Sequence, residues 1–217
     1  MSAHLLVVCT ANIARSPLAA ALFDAHVRAR GLDDRVTVSS AGVRAREGHS
    51  AAGASIQIAK GWGIDLRSHR SRPVTRELLE TSDLVLTMAE EHRDVLSSRA
   101  AGMAQRCFTL PELRRLLRDI EVGGLPPTPV ERLAELAERA HRRRPANITT
   151  TRQDVRDPYG RSEEVYAEVA GQLVELVSAV APVLFGPVPA DHQAAAARLP
   201  SPPSTPRPRR LRRRTDR

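Results

Sequence analysis

Cys9 and Arg15 frame the segment Cys9-Thr10-Ala11-Asn12-Ile13-Ala14-Arg15, which runs directly into Ser16-Pro17. A thiolate on the floor of a tight loop can attack phosphorus. The loop's N–H groups and one guanidinium can then surround the equatorial oxygens of the phosphoryl group. Arg suits the second task because its planar fork binds two oxygens at once, a geometry Lys does not reproduce. Such a reaction needs an acid to protonate the leaving oxygen and later a base to activate water. Asp157-Pro158-Tyr159 supplies a carboxyl beside a stiff proline. No metal and no cofactor is called for: the loop itself neutralises the phosphate, and the seven His are scattered.

The segments around the loop read as a frame able to hold it. Residues 4–8 form an apolar run, a buried-strand pattern, ending at Cys9. Ser16-Pro17 then predicts a helix start, with a hydroxyl at the cap and Pro in the first turn, and apolar spacing continues to Gly31. Residues 36–39, 83–87 and 106–110 read as three further strands. Helices are expected over 51–60, from the Thr75 cap to 80, and over 89–98. Strands alternating with helices imply a parallel sheet covered on both faces, with the active site at the strands' carboxyl ends, where Cys9 falls. Two more helices, 112–120 and 130–144, lie in a stretch of different character, 111–147. A last helix is expected over 162–180.

The chain has 217 residues, of which 41% are hydrophobic and 3% aromatic. That is enough for one α/β domain, 1–185, and too little for two large ones. The net charge of +8 is unevenly placed: positions 186–217 hold 8 Arg against 2 Asp, a net +6 that leaves +2 for the body. A basic Pro/Arg-rich tail of this kind is expected to be disordered, and it could contact an acidic partner or serve as a plain solvated extension. Apolar runs fall short of the roughly 20 residues of a membrane span, and residues 5–8 are too short for a leader, so the expected location is cytoplasmic. With only Cys9 and Cys107, both thiols are expected to stay reduced, and Cys107 reads as a small core residue.

Cys9 through Pro17, together with Ser39-Ser40-Ala41-Gly42, Gly63-Ile64-Asp65, Ser68-His69-Arg70, Asp83-Leu84-Val85-Leu86-Thr87-Met88 and Asp157-Pro158-Tyr159, resembles the low-molecular-weight protein tyrosine phosphatase family. The resemblance implies a flavodoxin-like, four-stranded parallel sheet and hydrolysis of phosphotyrosine in a bacterial type of enzyme. It implies Cys9 as nucleophile, Arg15 as phosphate binder and Asp157 as proton donor. Thr10, Ala11, Asn12, Ile13 and Ala14 would present the loop to phosphate, and Ser16 would donate to the thiolate. Tyr159 and Arg46 would line the pocket, while Asn12, Ser40 and His69 would brace the loop through hydrogen bonds. The implied partner is a phosphotyrosine protein, such as an autophosphorylating bacterial tyrosine kinase.

Several residues depart from the family pattern. Ala11 replaces a glycine, which costs about 1 kcal/mol if that position needs φ > 0. Ala14 replaces a second loop cysteine, so oxidised Cys9 would depend on an external thiol. Gly160 stands in place of a second Tyr, and Arg44-Ala45-Arg46 in place of an aromatic wall. The stretch 111–147 is longer than the usual connection and reads as a helical insertion at the active-site rim. Two other functions stay open: an arsenate reductase on the same fold, which needs a further cysteine near Cys9, and a non-catalytic phosphate-binding module.

Overall fold

The computed structural model describes residues 2–100, 102–144 and 154–201. In chain order it contains β1 (Ala3–Cys9), α1 (Arg15–Arg28), β2 (Val36–Gly42), α2 (Gly53–Gly61), α3 (Arg76–Glu80), β3 (Leu84–Thr87), α4 (Glu90–Ser97), α5 (Met103–Arg106) and β4 (Cys107–Thr109). The series continues with α6 (Leu110–Leu117), α7 (Pro129–Arg143), α8 (Glu163–Phe185), a 3-10 turn at Ala190–His192, and α9 (Gln193–Ala196). The strands form one parallel sheet in the order β2-β1-β3-β4. The order reverses direction between β1 and β3, and ligands of such sheets bind in the crevice beyond that reversal.

Side-chain alternation along β1 divides the core. Leu5, Val7 and Cys9 face the cluster built with Leu18, Leu22, Phe23, Leu173 and Val177. Leu6 and Val8 face the cluster holding Leu79, Leu96 and Met103. Both faces are covered, so β1 reads as a continuous apolar run. Cys9 is paired with Gly42 at the last rung of the β1–β2 ladder.

Several expectations from the sequence are revised. α1 begins at Arg15, its cap position is Ala14, and no side chain caps it, so Ser16 is not the cap. β2 does not end at residue 39: it continues to Gly42, because Ser40, Ala41 and Gly42 pair with Val7, Val8 and Cys9. α6 and α7 do not sit at the active-site rim. Leu113, Leu116, Leu133, Leu136 and Ala140 are buried in the main core, and Arg132 Nε donates to the Val183 carbonyl of α8 at 2.9 Å.

α8 runs past residue 180 to Phe185 and stops where Gly186 takes φ +83°. By length and apolar composition it could cross a membrane, contrary to the reading that no stretch is long enough. Here its apolar stripe packs against α1 and α6 as a core helix does. Beyond it, residues 187–201 include the 3-10 turn and α9. His192 lies over Gly31, where an added Cβ would meet its ring at 2.4 Å. The Arg-rich run after 201 lies outside the described residues.

Candidate active site

β1 delivers Cys9, 3% exposed, to the sheet's carboxyl edge, and the chain from Thr10 to Ala14 wraps around its sulfur before α1 begins. The loop's carbonyls are bound on its outer side: Cys9 O accepts from Val43 N at 2.9 Å, Thr10 O from Arg44 N at 2.9 Å and Ile13 O from Ala52 N at 2.8 Å. Carbonyls turned outward leave the amides turned inward, which makes a concave anion nest. Asn12 N–H does this visibly, donating to Cys9 Sγ at 3.3 Å. The Ser16 hydroxyl lies 3.0 Å from the same sulfur, where the family resemblance put it, and it does not cap the helix.

Asn12 is the keystone of the loop. It is fully buried and is the one described non-glycine residue with positive φ, at 55°. Ala11 therefore carries no left-handed strain, and the cost anticipated there does not arise. The Asn12 side chain donates to Ser16 Oγ at 2.9 Å and Ser40 Oγ at 2.8 Å, and its Oδ1 accepts from Arg72 N at 3.1 Å. Its carbonyl lies 2.7 Å from His69 Nε2. A carbonyl only accepts, so Nε2 bears the proton. Burial lowers the His69 pKa, and Arg70 and Arg72 push the same way against the raising effect of that hydrogen bond. The ring is thus held neutral, as a fixed donor.

Gly42 explains how β2 can lie so close. An added Cβ would stand 2.6 Å from Thr10 O and 2.9 Å from Asn12 N. Those contacts are with backbone, which can shift only at a cost.

Arg15, 4% exposed, reaches back over the loop from the first turn of α1. Nη1 donates to Val155 O at 3.0 Å, and Nη2 donates to Thr10 Oγ1 at 3.1 Å and to Asp157 Oδ2 at 2.5 Å. The remaining donors of the fork are the ones that can meet an oxyanion. Asp157 also accepts at Oδ1 from Tyr159 N at 3.2 Å, so its carboxyl is aimed inward while half-exposed. Cys9, Arg15 and Asp157 surround a cavity of about 470 Å³. Thr10, Ala11, Ile13, Ala14, Arg44, Arg46, His49, Ser71 and Tyr159 complete its wall. Ser40 and His69 stand behind the loop, on Asn12.

Sequence reasoning missed His92. It is 1% exposed near the start of α4, with Nε2 2.9 Å from Thr10 Oγ1. Burial and then the Arg15 charge lower its pKa to about 4. Its position just beyond β3, the strand beside β1 at the topological reversal, was the available signal. Among the described residues no group of three or more His, Cys, Asp or Glu is placed to hold a metal.

Cys107 does not join the site. It stands level with Leu6, two strands away and three residues short of Cys9. Standard strand spacings put the two thiols roughly 14 Å apart, about twice the Cα separation a disulfide tolerates. Burial pushes the Cys107 thiol up to about 12. A cysteine relay, as an arsenate reductase would use, has no second member near this sulfur.

Comparison with known proteins agrees with this architecture. The model of the family described as low molecular weight phosphotyrosine protein phosphatase matches residues 4–122. A protein-arginine-phosphatase of Bacillus subtilis is 30% identical over 177 residues, 82% of this chain and 93% of the relative. A probable low molecular weight protein-tyrosine-phosphatase, EpsP, of Ralstonia nicotianae is 32% identical over 111 residues, 51% of this chain and 72% of the relative. The crystal structure of a low molecular weight protein tyrosine phosphatase from T. tengcongensis superimposes with a TM-score of 0.61 at 30% identity, covering 82% of this chain and 97% of the other. The chain belongs to the low molecular weight phosphotyrosine protein phosphatase family, and it is a phosphatase.

Proposed function

We propose that this protein hydrolyses phosphotyrosine in proteins through a phosphocysteine on Cys9, without a metal. The observation that carries the reading is the convergence of Cys9, Arg15 and Asp157 on one cavity. Cys9 Sγ attacks phosphorus from the floor of the loop and forms the S–P bond as the P–O bond to the phenol breaks. Arg15 and the inward amides hold the equatorial oxygens, and Asp157 gives its proton to the departing phenolate oxygen. Asp157 then takes a proton from water, which attacks phosphorus and releases inorganic phosphate and the thiolate.

The wall favours an aryl group over a guanidinium. Ile13 and Tyr159 offer apolar surface for a ring, while Arg44, Arg46 and His49 surround the mouth. Asp157 is the one carboxylate in this lining, and Arg15 already holds it. A phosphorylated arginine would bring N–H donors that need acceptors, and this wall offers few of them. The basic rim instead suits acidic residues flanking the phosphotyrosine, as an autophosphorylated kinase segment can present. Phosphoarginine is a second reading, favoured by the 30% identity to the arginine phosphatase over most of both chains.

One comparison tests all of this: turnover of p-nitrophenyl phosphate, a phosphotyrosine peptide and a phosphoarginine peptide, by the native protein and by Cys9→Ser. Phosphotyrosine should exceed phosphoarginine in kcat/KM, and Cys9→Ser should be inert on all three. Preference for phosphoarginine would replace the substrate assignment. An inert native protein that still binds phosphate would leave only a binding module.

A further inference from the structure

Thr10 Oγ1 sits between two partners. Arg15 Nη2 donates to it at 3.1 Å, and His92 Nε2 lies 2.9 Å away. The other ring nitrogen of His92, Nδ1, is buried with no hydrogen-bond partner among the described residues. That orphan decides the tautomer. If Nδ1 carried the proton, a buried N–H donor would go unpaired, at a cost of ~1–3 kcal/mol. With the proton on Nε2, only a lone pair goes unpaired, which is the milder defect. The ring is neutral at ordinary pH because burial and the Arg15 charge both disfavour its cation.

A neutral His92 protonated at Nε2 donates to Thr10, and Arg15 can only donate. Both acceptor positions of Oγ1 are then filled, and the hydroxyl proton has to point away from both partners. Thr10 lines the cavity beside Cys9 and Arg15, so that proton points to where a phosphoryl oxygen would lie.

We infer that the Thr10 hydroxyl is a preorganised donor to the transferring phosphoryl group, and that His92 is a positioning residue that fixes its direction. The inference rests on the phosphate-binding part of the function proposed above. It does not depend on whether the phosphate comes from tyrosine or arginine. His92 acts through Thr10 without touching substrate, and its role is electrostatic preorganisation: a donor aimed in advance at developing charge.

The test is inhibition by orthovanadate, a five-coordinate mimic of the transferring group, with p-nitrophenyl phosphate as reporter. A hydrogen bond to a charged group is worth roughly a 10- to 100-fold change. Thr10→Val should raise the vanadate inhibition constant by about that factor, and Thr10→Ser should stay within roughly threefold of native. His92→Leu should reproduce most of the Thr10→Val loss. His92→Gln, which restores an N–H near the Nε2 position, should recover most of it, and the Thr10→Val/His92→Leu double variant should be no worse than Thr10→Val alone.

His92→Leu leaves Thr10 in place to accept from Arg15, so it separates this inference from a simple loss of Arg15 support. Unchanged vanadate inhibition in Thr10→Val, additive losses in the double variant, or a folded His92→Gln as poor as His92→Leu would each overturn it. If His92→Leu fails to fold, Thr10→Val, Thr10→Ser and His92→Gln decide.

Discussion

Arg15 and Asp157, 142 positions apart in sequence, grip each other at 2.5 Å at the mouth of the cavity, the Arg15 side chain 5% exposed and the Asp157 side chain 47% exposed. In the proposed mechanism the exposed partner delivers the proton, while the buried one is held from three sides. Removing Asp157 should therefore leave phosphate binding intact and affect the leaving group. Asp157→Ala is expected to lower kcat on a phosphotyrosine peptide by about 10²–10³-fold and on p-nitrophenyl phosphate by less than about tenfold, since nitrophenolate departs with little help. Equal losses on the two substrates, measured by steady-state kinetics, would remove Asp157 from that role.

Asn12 combines a left-handed backbone with three side-chain hydrogen bonds, so its two functions can be separated. Asn12→Gly keeps the backbone free and loses the side-chain bonds; Asn12→Ala loses the bonds and also strains φ. The expected order of stability in urea is native, then Gly, then Ala, with Ala lower than native by about 2–4 kcal/mol. An Ala variant as stable as the Gly variant would mean that the positive φ is not needed.

Gly42→Ala tests the close approach of β2 to the loop. With Thr10 O and Asn12 N both inside 3 Å of the new methyl carbon, the loop must shift. The variant should lose about 1–3 kcal/mol of stability and most of its turnover. A variant of full activity would show that β2 can yield at this rung.

Two buried histidines give the protein a pH signature. Burial, followed by Arg30, lowers the His26 pKa to about 4, and burial followed by Arg15 lowers that of His92 to about 4. Both are depressed, so between the unfolded value near 6.5 and about 4 the unfolded chain binds more protons. Stability is fully present above pH 6.5 and falls as the pH drops through that window, by at most about 1.4 kcal/mol per pH unit for each ring. Urea midpoints at pH 7, 5.5 and 4.5 should decline in that order, and His26→Gln should flatten the decline. An unchanged slope in that variant would show that His26 does not titrate with unfolding.

Cys9, Arg15 and Asp157 could be singled out because residue type and local spacing point to one chemistry, and the structure brings all three to one cavity. The four strands were legible because apolar runs alternate with helical spacing. For Ser16 only the helix-cap reading failed, because a hydroxyl before proline is what a helix cap looks like; the family resemblance had already turned it to the Cys9 sulfur, where it lies. His92 and the Val155 carbonyl were invisible because they reach the loop through the lateral order of strands, which linear spacing does not encode. Strain was anticipated at Ala11 and lies instead at Asn12, a residue type whose short polar side chain tolerates that conformation. α6 and α7 looked additional on length alone. Their buried leucines close the main core.

The first turn of α1 lacks both a side-chain cap and an acidic residue, which favours an anion at that end of the helix. An anion bound there under the proposed function would bind the folded protein and not the unfolded chain. Heat resistance should therefore climb with the logarithm of phosphate or vanadate concentration. A melting curve thus becomes an occupancy gauge, usable even on variants too slow to assay.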